Sequence, residues 1–279
     1  MIEPGFYENV PNQAYHAGPG LSRSGISRLL RSPAHFKEQV IEETEAMRFG
    51  SAIHAYLFEP EVFRKEFVFT DRHYRSNADK AWKAEQEAAG RLVLKNAEYE
   101  RIKGMAAAVK ACRSAMDLLE GEGEAEICGY WYDPFYPEVL CKLRADWLKK
   151  FTNVPAVCVD LKSTKDARQS YFIRSAYNFG YATQVSWYLY GLTQITRVEH
   201  KDFYFIAVEK EPPFGVGVYK ADEELIHHGL IECNKGVELY SQCMKANSWP
   251  CYRDEVKSLG LPSWVKRKAD FAIYDGGAF

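Results

Sequence analysis

The segment Val157-Cys158-Val159-Asp160-Leu161-Lys162-Ser163-Thr164 constrains this chain more than any other stretch. Its β-branched residues at 157 and 159 favour a buried strand, and a side-chain period of two puts Asp160 and Lys162 on the same face. A carboxylate and an ammonium therefore project together from a strand that is otherwise apolar. An Asp-x-Lys pair by itself is most often an exposed ion pair of little energetic worth. What surrounds it in sequence decides which reading applies.

On the N-terminal side, residues 124–132 alternate, with Glu124, Glu126 and Cys128 facing one way and Ala125, Ile127 and Trp131 the other. Asp133-Pro134 and Pro137 mark a turn, and residues 138–149 form a second alternating strand with Lys142, Arg144 and Asp146 opposite Cys141, Leu143, Ala145 and Trp147. With the Asp160 strand these predict a mostly antiparallel three-strand meander. Helices are expected over 167–197, strands over 202–209 and 215–220, and a long helix from Asp222 to about Asn247.

The N-terminal part reads as mainly helical. Residues up to Gly20 predict a loop, a Ser-capped helix covers Gly25 to Leu30, and Pro33 starts another that runs through Phe36. A helix over 47–58 has Phe49, Ile53, Tyr56 and Leu57 as its apolar stripe, with Gly50 and His54 sharing a face. Residues 59–77 read as loop or edge strand and include the basic, aromatic run Arg72-His73-Tyr74-Arg75, and 78–119 as helix broken near Gly90. In the irregular tail, Trp249 and Trp264 are expected to pack back. The expected fold is α/β, a central mixed sheet with an antiparallel meander, flanked by helices. One domain is expected over 1–279, with a helical part (1–120), a sheet core (121–220) and a C-terminal helix and tail (221–279).

At 47% hydrophobic residues the chain can bury a sizeable core. No apolar run is long enough to cross a membrane and the start lacks the profile of a signal peptide, so a cytoplasmic protein is expected. Seven cysteines without a Cys-x-x-Cys pair suit reduced thiols. The net charge of −2 gives no general pull toward nucleic acid, so any such function rests on local clusters.

The acids Glu126, Asp146 and Asp160 each sit on a strand face shared with polar groups. A cluster of buried acids is costly unless a cation neutralises it, and oxygen donors select Mg²⁺, with Mn²⁺ able to substitute. His54 could add a nitrogen donor. Lys162 could orient or deprotonate a water and counter charge on a phosphate. Tyr177, Tyr181, Gln184 and Tyr188 fall on one polar, aromatic helical face able to meet a nucleotide. Singly, each feature has an ordinary reading as solvated surface or packing. Their order along one chain favours the catalytic one.

That order resembles the RecB-type branch of the PD-(D/E)-x-K nuclease superfamily, and more closely the RecE-type exonuclease VIII family of phage recombination nucleases. The likeness spans nearly the whole chain. It is carried by Tyr15-His16-Ala17-Gly18-Pro19-Gly20-Leu21-Ser22, Phe49-Gly50-Ser51-Ala52-Ile53-His54, Ala125-Glu126 with Tyr130-Trp131-Tyr132-Asp133-Pro134, Cys141-Lys142-Leu143-Arg144-Ala145-Asp146, Asp160-Leu161-Lys162-Ser163-Thr164 and Gln184-Val185-Ser186-Trp187-Tyr188. Trp249-Pro250 and Leu261-Pro262-Ser263-Trp264 complete it. The resemblance implies a restriction-endonuclease-like core in which His54, Asp146, Asp160 and the Leu161 carbonyl hold metal, Lys162 serves the attacking water, and Gln184 and Tyr188 support the site. Glu126 falls where such enzymes often have another acid, with Glu124 an open alternative.

The resemblance further implies 5′-to-3′ digestion of linear double-stranded DNA, leaving 3′ tails for a single-strand annealing protein, by a ring-shaped homo-oligomer, a tetramer. Several RecB-type relatives hold an iron–sulfur cluster through a cysteine before a helix-starting proline and three C-terminal cysteines. Here Ser32 takes the first position and Cys233, Cys243 and Cys251 are widely spaced, so no cluster is expected. Arg23, Arg28, Arg72, Arg75, Arg144, Lys165, Arg168 and Arg174 are candidate DNA contacts. An endonuclease of the same branch, or a non-catalytic DNA-binding module on the same fold, are the alternatives at this point.

Overall fold

The structure is a computed structural model and describes residues 2–38, 44–150 and 156–261. A short strand β1 (Gly5–Tyr7) and helix α1 (Asn12–Ala17) open the chain where loop was expected. The helix α2 (Arg23–Arg31) is capped by Ser22, whose hydroxyl accepts the Gly25 amide, and α3 (Pro33–Lys37) is capped by Ser32 with Pro33 in its first turn. Then comes α4 (Glu45–Phe58), capped by Thr44 and burying Phe49, Ala52, Ile53 and Ala55.

The stretch expected as loop or edge strand holds α5 (Pro60–Glu66) and β2 (Phe67–Thr70). Proline at the first helical position starts α5, which at seven residues is too short to show a helical period. The long helical region is α6 (Asn77–Ala88), β3 (Leu92–Lys95), α7 (Asn96–Ala111) and α8 (Arg113–Leu119). The break near Gly90 thus contains a four-residue strand, which pairs in parallel with β2.

The meander follows as β4 (Gly123–Tyr132), β5 (Leu140–Lys149) and β6 (Val157–Thr164). Helices α9 (Gln169–Asn178) and α10 (Tyr181–Thr196) lead to β7 (Phe203–Glu209), β8 (Val216–Lys220) and the long α11 (Glu223–Ala246). The six-stranded sheet runs β1-β4-β5-β6-β7-β8. All its pairings are antiparallel except β6 with β7, whose crossover is α9 and α10.

Both faces of the sheet are covered. On one, α2, α10 and α11 pack with Ile26, Trp131, Leu143, Trp187 and Val237, and on the other α4 and α7 pack with Ile53, Met105, Val159, Leu161 and Ile206. Because β6 is covered twice, its Val157, Val159 and Leu161 point to the second cluster while Cys158 points to the first. Trp249 packs back as expected, stacked on Phe36 with ring centroids 5.6 Å apart. Trp264 lies outside the described residues.

Two expectations about faces need correction. Tyr177 belongs to α9 and is exposed, cut off from Tyr181 by Gly180 in the left-handed conformation at φ 63°, so it shares no helical face with Gln184 and Tyr188. Along β4 and β5 the register is constant, with Ala125 opposite Trp147 and Ile127 opposite Ala145, but Glu126 between them has φ 49°. The left-handed residue creases both strands. Past the crease Trp147 stacks on Phe58, on the α4 side, whereas Leu143 and Ala145 pack on the α10 side.

Candidate active site

The crease is where the ionisable side chains meet. Strands β5 and β6 pair from Lys149 opposite Val157 to Trp147 opposite Val159. One residue further the Asp146 carboxylate replaces a ladder partner, its Oδ2 accepting the Leu161 amide at 2.8 Å. An extended residue directs its N–H and C=O to the same side, so the Leu161 carbonyl borders the same gap.

From α4, His54 Nδ1 lies 3.3 Å from Asp146 Oδ2 and 3.7 Å from Glu126 Oε1. The other oxygen of Glu126 accepts Arg144 Nε at 2.7 Å, and Arg144 also donates Nη1 to the Val10 carbonyl at 2.7 Å and lies 3.7 Å from Glu59. Donor atoms of His54, Glu126 and Asp146 all lie within 4.8 Å of one another. Burial works against a charged His54, but the carboxylates of Asp146 and Glu126 outweigh it and hold the imidazole well above its ordinary pKa. Burial likewise opposes ionisation of Asp146, and the charge and hydrogen bond of His54, then Lys162 and the Leu161 amide, bring its pKa below the usual value.

Asp160 is 1% exposed. Its Oδ1 accepts Gln184 Nε2 from α10. Its Oδ2 lies 2.5 Å from Lys162 Nζ yet makes no directed hydrogen bond. Burial first, then the Asp146 charge, push this carboxyl up to about 6. Lys162 moves the other way from what burial alone would do: Asp160, Asp146 and Tyr181 raise it, and its Nζ stands 5.0 Å from the centre of the Tyr181 ring. The ammonium thus stays protonated, which favours orienting a water over deprotonating it. Tyr188, one helical turn beyond Gln184, packs edge-on against Phe203, and burial, then Tyr15, Asp160 and Asp146, raise its phenol well above the ordinary range.

These residues fit a divalent cation. Carboxylates at one centre with one imidazole nitrogen form a hard, anionic donor set, and the buried Asp160 carboxylate, ion-paired with Lys162, adds a further oxygen donor that interacts with Asp146. Of the two acids considered on β4, Glu126 is in the cluster, while Glu124 pairs with Lys150 away from it.

The domain is identified by its match as a whole. Residues 22–260 match the model of a PDDEXK-like domain of unknown function, DUF3799. The chain belongs to this family. The matched range of the DUF3799 domain contains every side chain of the cluster just described, from His54 to Tyr188. No curated protein sequence matches the chain. Among solved structures, a Eubacterium rectale protein provisionally named an exonuclease superposes with a TM-score of 0.59 at 16% identity, over 94% of this chain and 99% of that one. An alkaline exonuclease from Laribacter hongkongensis has a TM-score of 0.28 at 15% identity, over 82% of this chain and 100% of its own. At such identities only the first likeness is informative, and it concerns the fold.

The expected DNA contacts of this DUF3799 domain are scattered. Arg144 is mostly buried as the partner of Glu126, so its place is inside the site and not on an open phosphate track. Arg23 donates to the carbonyls of Phe179 and Gly180, and Arg28 to the Ser24 hydroxyl. Arg72 pairs with Asp79 and lies over Trp82. Lys165, Arg168 and Arg174 are exposed around the start of α9, Arg168 paired with Asp166, and Arg75 is exposed in the loop before α6. The sequence reading missed Tyr181 as the cation–π partner of Lys162. Its position three residues before Gln184 is the signal that could have shown it.

Proposed function

We propose that this DUF3799 domain is a metal-dependent deoxyribonuclease that hydrolyses DNA from its ends. The observation that carries the reading is the convergence of His54, Glu126, Asp146, Asp160 and Lys162 where β5 and β6 part. Asp146, Asp160, His54 and the Leu161 carbonyl would hold Mg²⁺, or Mn²⁺ in its place, with Glu126 as a further acid. The bound cation supplies Lewis acidity to a phosphoryl oxygen and lowers the pKa of water.

The chain's own groups do the positioning. Gln184 fixes the rotamer of Asp160, Arg144 fixes Glu126, and the Leu161 amide fixes Asp146. Lys162, protonated, donates hydrogen bonds to an attacking water and to a non-bridging phosphate oxygen, so that negative charge developing during in-line attack meets a fixed positive one. Tyr188 is a neutral donor next to the acids.

We further propose 5′-to-3′ polarity on linear duplex, 3′ tails offered to a single-strand annealing protein, and a homo-oligomeric ring with residues 1–279 as one catalytic unit in the cytoplasm. These rest on the motif resemblance. That no helix among the described residues is long and apolar enough to cross a membrane is compatible with them. Digestion of 5′- and 3′-labelled linear duplex with Mg²⁺ tests activity and polarity together. Release of 5′-labelled mononucleotides first supports the reading. Absence of any digestion with Mg²⁺ or Mn²⁺ overturns it, and equal cleavage of closed circular DNA replaces the exonuclease with an endonuclease.

A further inference from the structure

Helix α9 has a core-facing side of only Phe172 and Ala176, and the remainder of its surface carries large apolar side chains in solvent. Tyr177 is 79% exposed and Phe179, in the turn that follows, 65% exposed. Single exposed apolar residues need no explanation, but several on one short segment that leads to a catalytic centre do. Phe179 stacks on Tyr181, centroids 6.1 Å apart at 28°, and Tyr181 is the ring over which Lys162 Nζ sits. One ring therefore separates the exposed face from the lysine. On the same helix, Tyr171 lies under two guanidiniums, Arg168 at 4.7 Å and Arg174 at 5.7 Å.

The turn is anchored to α2. Gly180 takes φ 63°, and Arg23 from α2 donates to the Phe179 and Gly180 carbonyls, the latter at 2.7 Å. Rings left open to solvent at an anchored turn, with Arg174 one helical turn before Tyr177 and Lys162 behind Tyr181, match the chemistry of a single nucleic-acid strand, whose bases stack on aromatic faces while phosphates meet positive charge. A base-paired end offers only the outer face of its last pair, whereas unpaired bases can splay apart and stack one by one.

We infer that Tyr177 and Phe179 form a nucleobase-stacking surface that takes the unpaired bases of a DNA end next to Lys162. This deepens the nuclease reading and rests on it for the direction of the strand. The occupant is nucleic acid and not a second copy of the chain because the face continues from Phe179 through Tyr181 to Lys162, and the nearest charge on the helix, Arg174 one turn before Tyr177, is positive.

The test uses duplex DNA with a three-nucleotide single-stranded end carrying 2-aminopurine, bound to full-length Asp160→Asn protein so that no hydrolysis intervenes. Binding is expected to change the 2-aminopurine fluorescence at least about twofold, and Tyr177→Ala with Phe179→Ala to abolish that change and weaken binding about tenfold or more. Phe179→Trp is expected to retain both. An unaltered fluorescence response and affinity in the double variant overturns the inference. So does light scattering in which the double variant turns an oligomer into a monomer while DNA binding stays the same. Wild-type protein assayed with Mg²⁺ on linear duplex separates the two claims: digestion without a stacking response sinks only the surface, whereas a stacking response without digestion sinks only the nuclease.

Discussion

The Leu161 amide donates to Asp146 Oδ2 at 2.8 Å, across the gap where β5 and β6 stop pairing. A side chain thus takes over from backbone at the centre of a sheet. The site exists because the ladder yields there, and Asp146 both closes the gap and faces His54.

Replacing Asp146 by Ala is expected to lose both roles. The buried Leu161 N–H is left without an acceptor, at a cost of about 1–3 kcal/mol, and His54 loses its nearer carboxylate. Asp146→Asn keeps an acceptor and is expected to fold with a melting temperature near that of the wild type, yet to lose at least ~100-fold in DNA hydrolysis. Thermal unfolding and end-label release on the two variants separate the structural from the catalytic loss. Equal activity of Asp146→Asn and wild type would remove this residue from the metal set.

Lys162 is expected to act as a fixed cation. Lys162→Met should leave metal binding within a few-fold of wild type and lower the hydrolysis rate ~100-fold or more. Because the ammonium is held above its ordinary pKa by Asp160 and Asp146, the rate is expected to show no loss up to about pH 9 that depends on this residue. A basic limb that moves when Lys162 is replaced by Arg would show that its deprotonation matters after all.

The Asp160 carboxyl gives the metal-free protein a defined pH response. Its pKa rises from 3.8 unfolded to about 6 folded, so its contribution is fully present below about pH 4 and is lost as pH climbs through 6. His54, also raised in the folded state, acts in the same direction at higher pH. In EDTA, stability is therefore expected to fall between about pH 4 and 7, and Asp160→Asn to flatten that slope. Metal binding displaces the His54 proton and, below about pH 6, the Asp160 proton as well, so its affinity should drop by up to about a hundredfold per unit below pH 6. Calorimetric titration with Mn²⁺ at pH 5, 6 and 7 reads this out.

Helices α10 and α11 approach closely at Gly229. A Cβ there would stand 1.9 Å from the Ala182 carbonyl oxygen and 2.3 Å from its carbon, and both are backbone atoms that cannot rotate away. Gly229→Ala is expected to destabilise by about 1–3 kcal/mol or more as the helices part. Since α10 carries Gln184, activity should fall below what the folded fraction explains. A variant with unchanged melting temperature would show that the helices can slide at no cost.

Lys142 anchors the N-terminal segment. It is 4% exposed, and its Nζ donates to the Tyr15 carbonyl at 2.7 Å and the Gly18 carbonyl at 2.6 Å, at the C-terminal end of α1. Lys142→Met leaves two carbonyls without that donor and should loosen α1, at about 1–3 kcal/mol. Hydrogen exchange over residues 5–20 is expected to rise while the Asp160 strand keeps its protection.

Strongly patterned elements were legible in the amino-acid order. The meander, the crossover through α9 and α10 and the long α11 follow from alternation and helical period over eight residues or more. Short elements were not: β2 and β3 have four residues each, below the length at which a period can be read. The crease at Glu126 was equally hidden, since a glutamate at φ 49° is a conformation that its side chain does not favour locally and that only the surrounding sheet imposes.

For the candidate site the division is similar. Residue types, their order and the motif resemblance pointed to His54, Asp146, Asp160, Lys162 and Gln184, with Glu126 or Glu124 as a further acid, because acids gathered on buried strands are costly unless a cation neutralises them. The choice of Glu126 over Glu124, the burial of Arg144 against Glu126 and the separation of Tyr177 from Tyr181 were decided only in three dimensions. Alternation gives the face of a side chain in a regular strand, whereas a single left-handed residue or a glycine turn reverses that face without leaving a periodic trace. Contacts between distant segments, such as Arg144 with Glu59 or Lys162 with Tyr181, come from how the elements pack against one another, which no local pattern encodes.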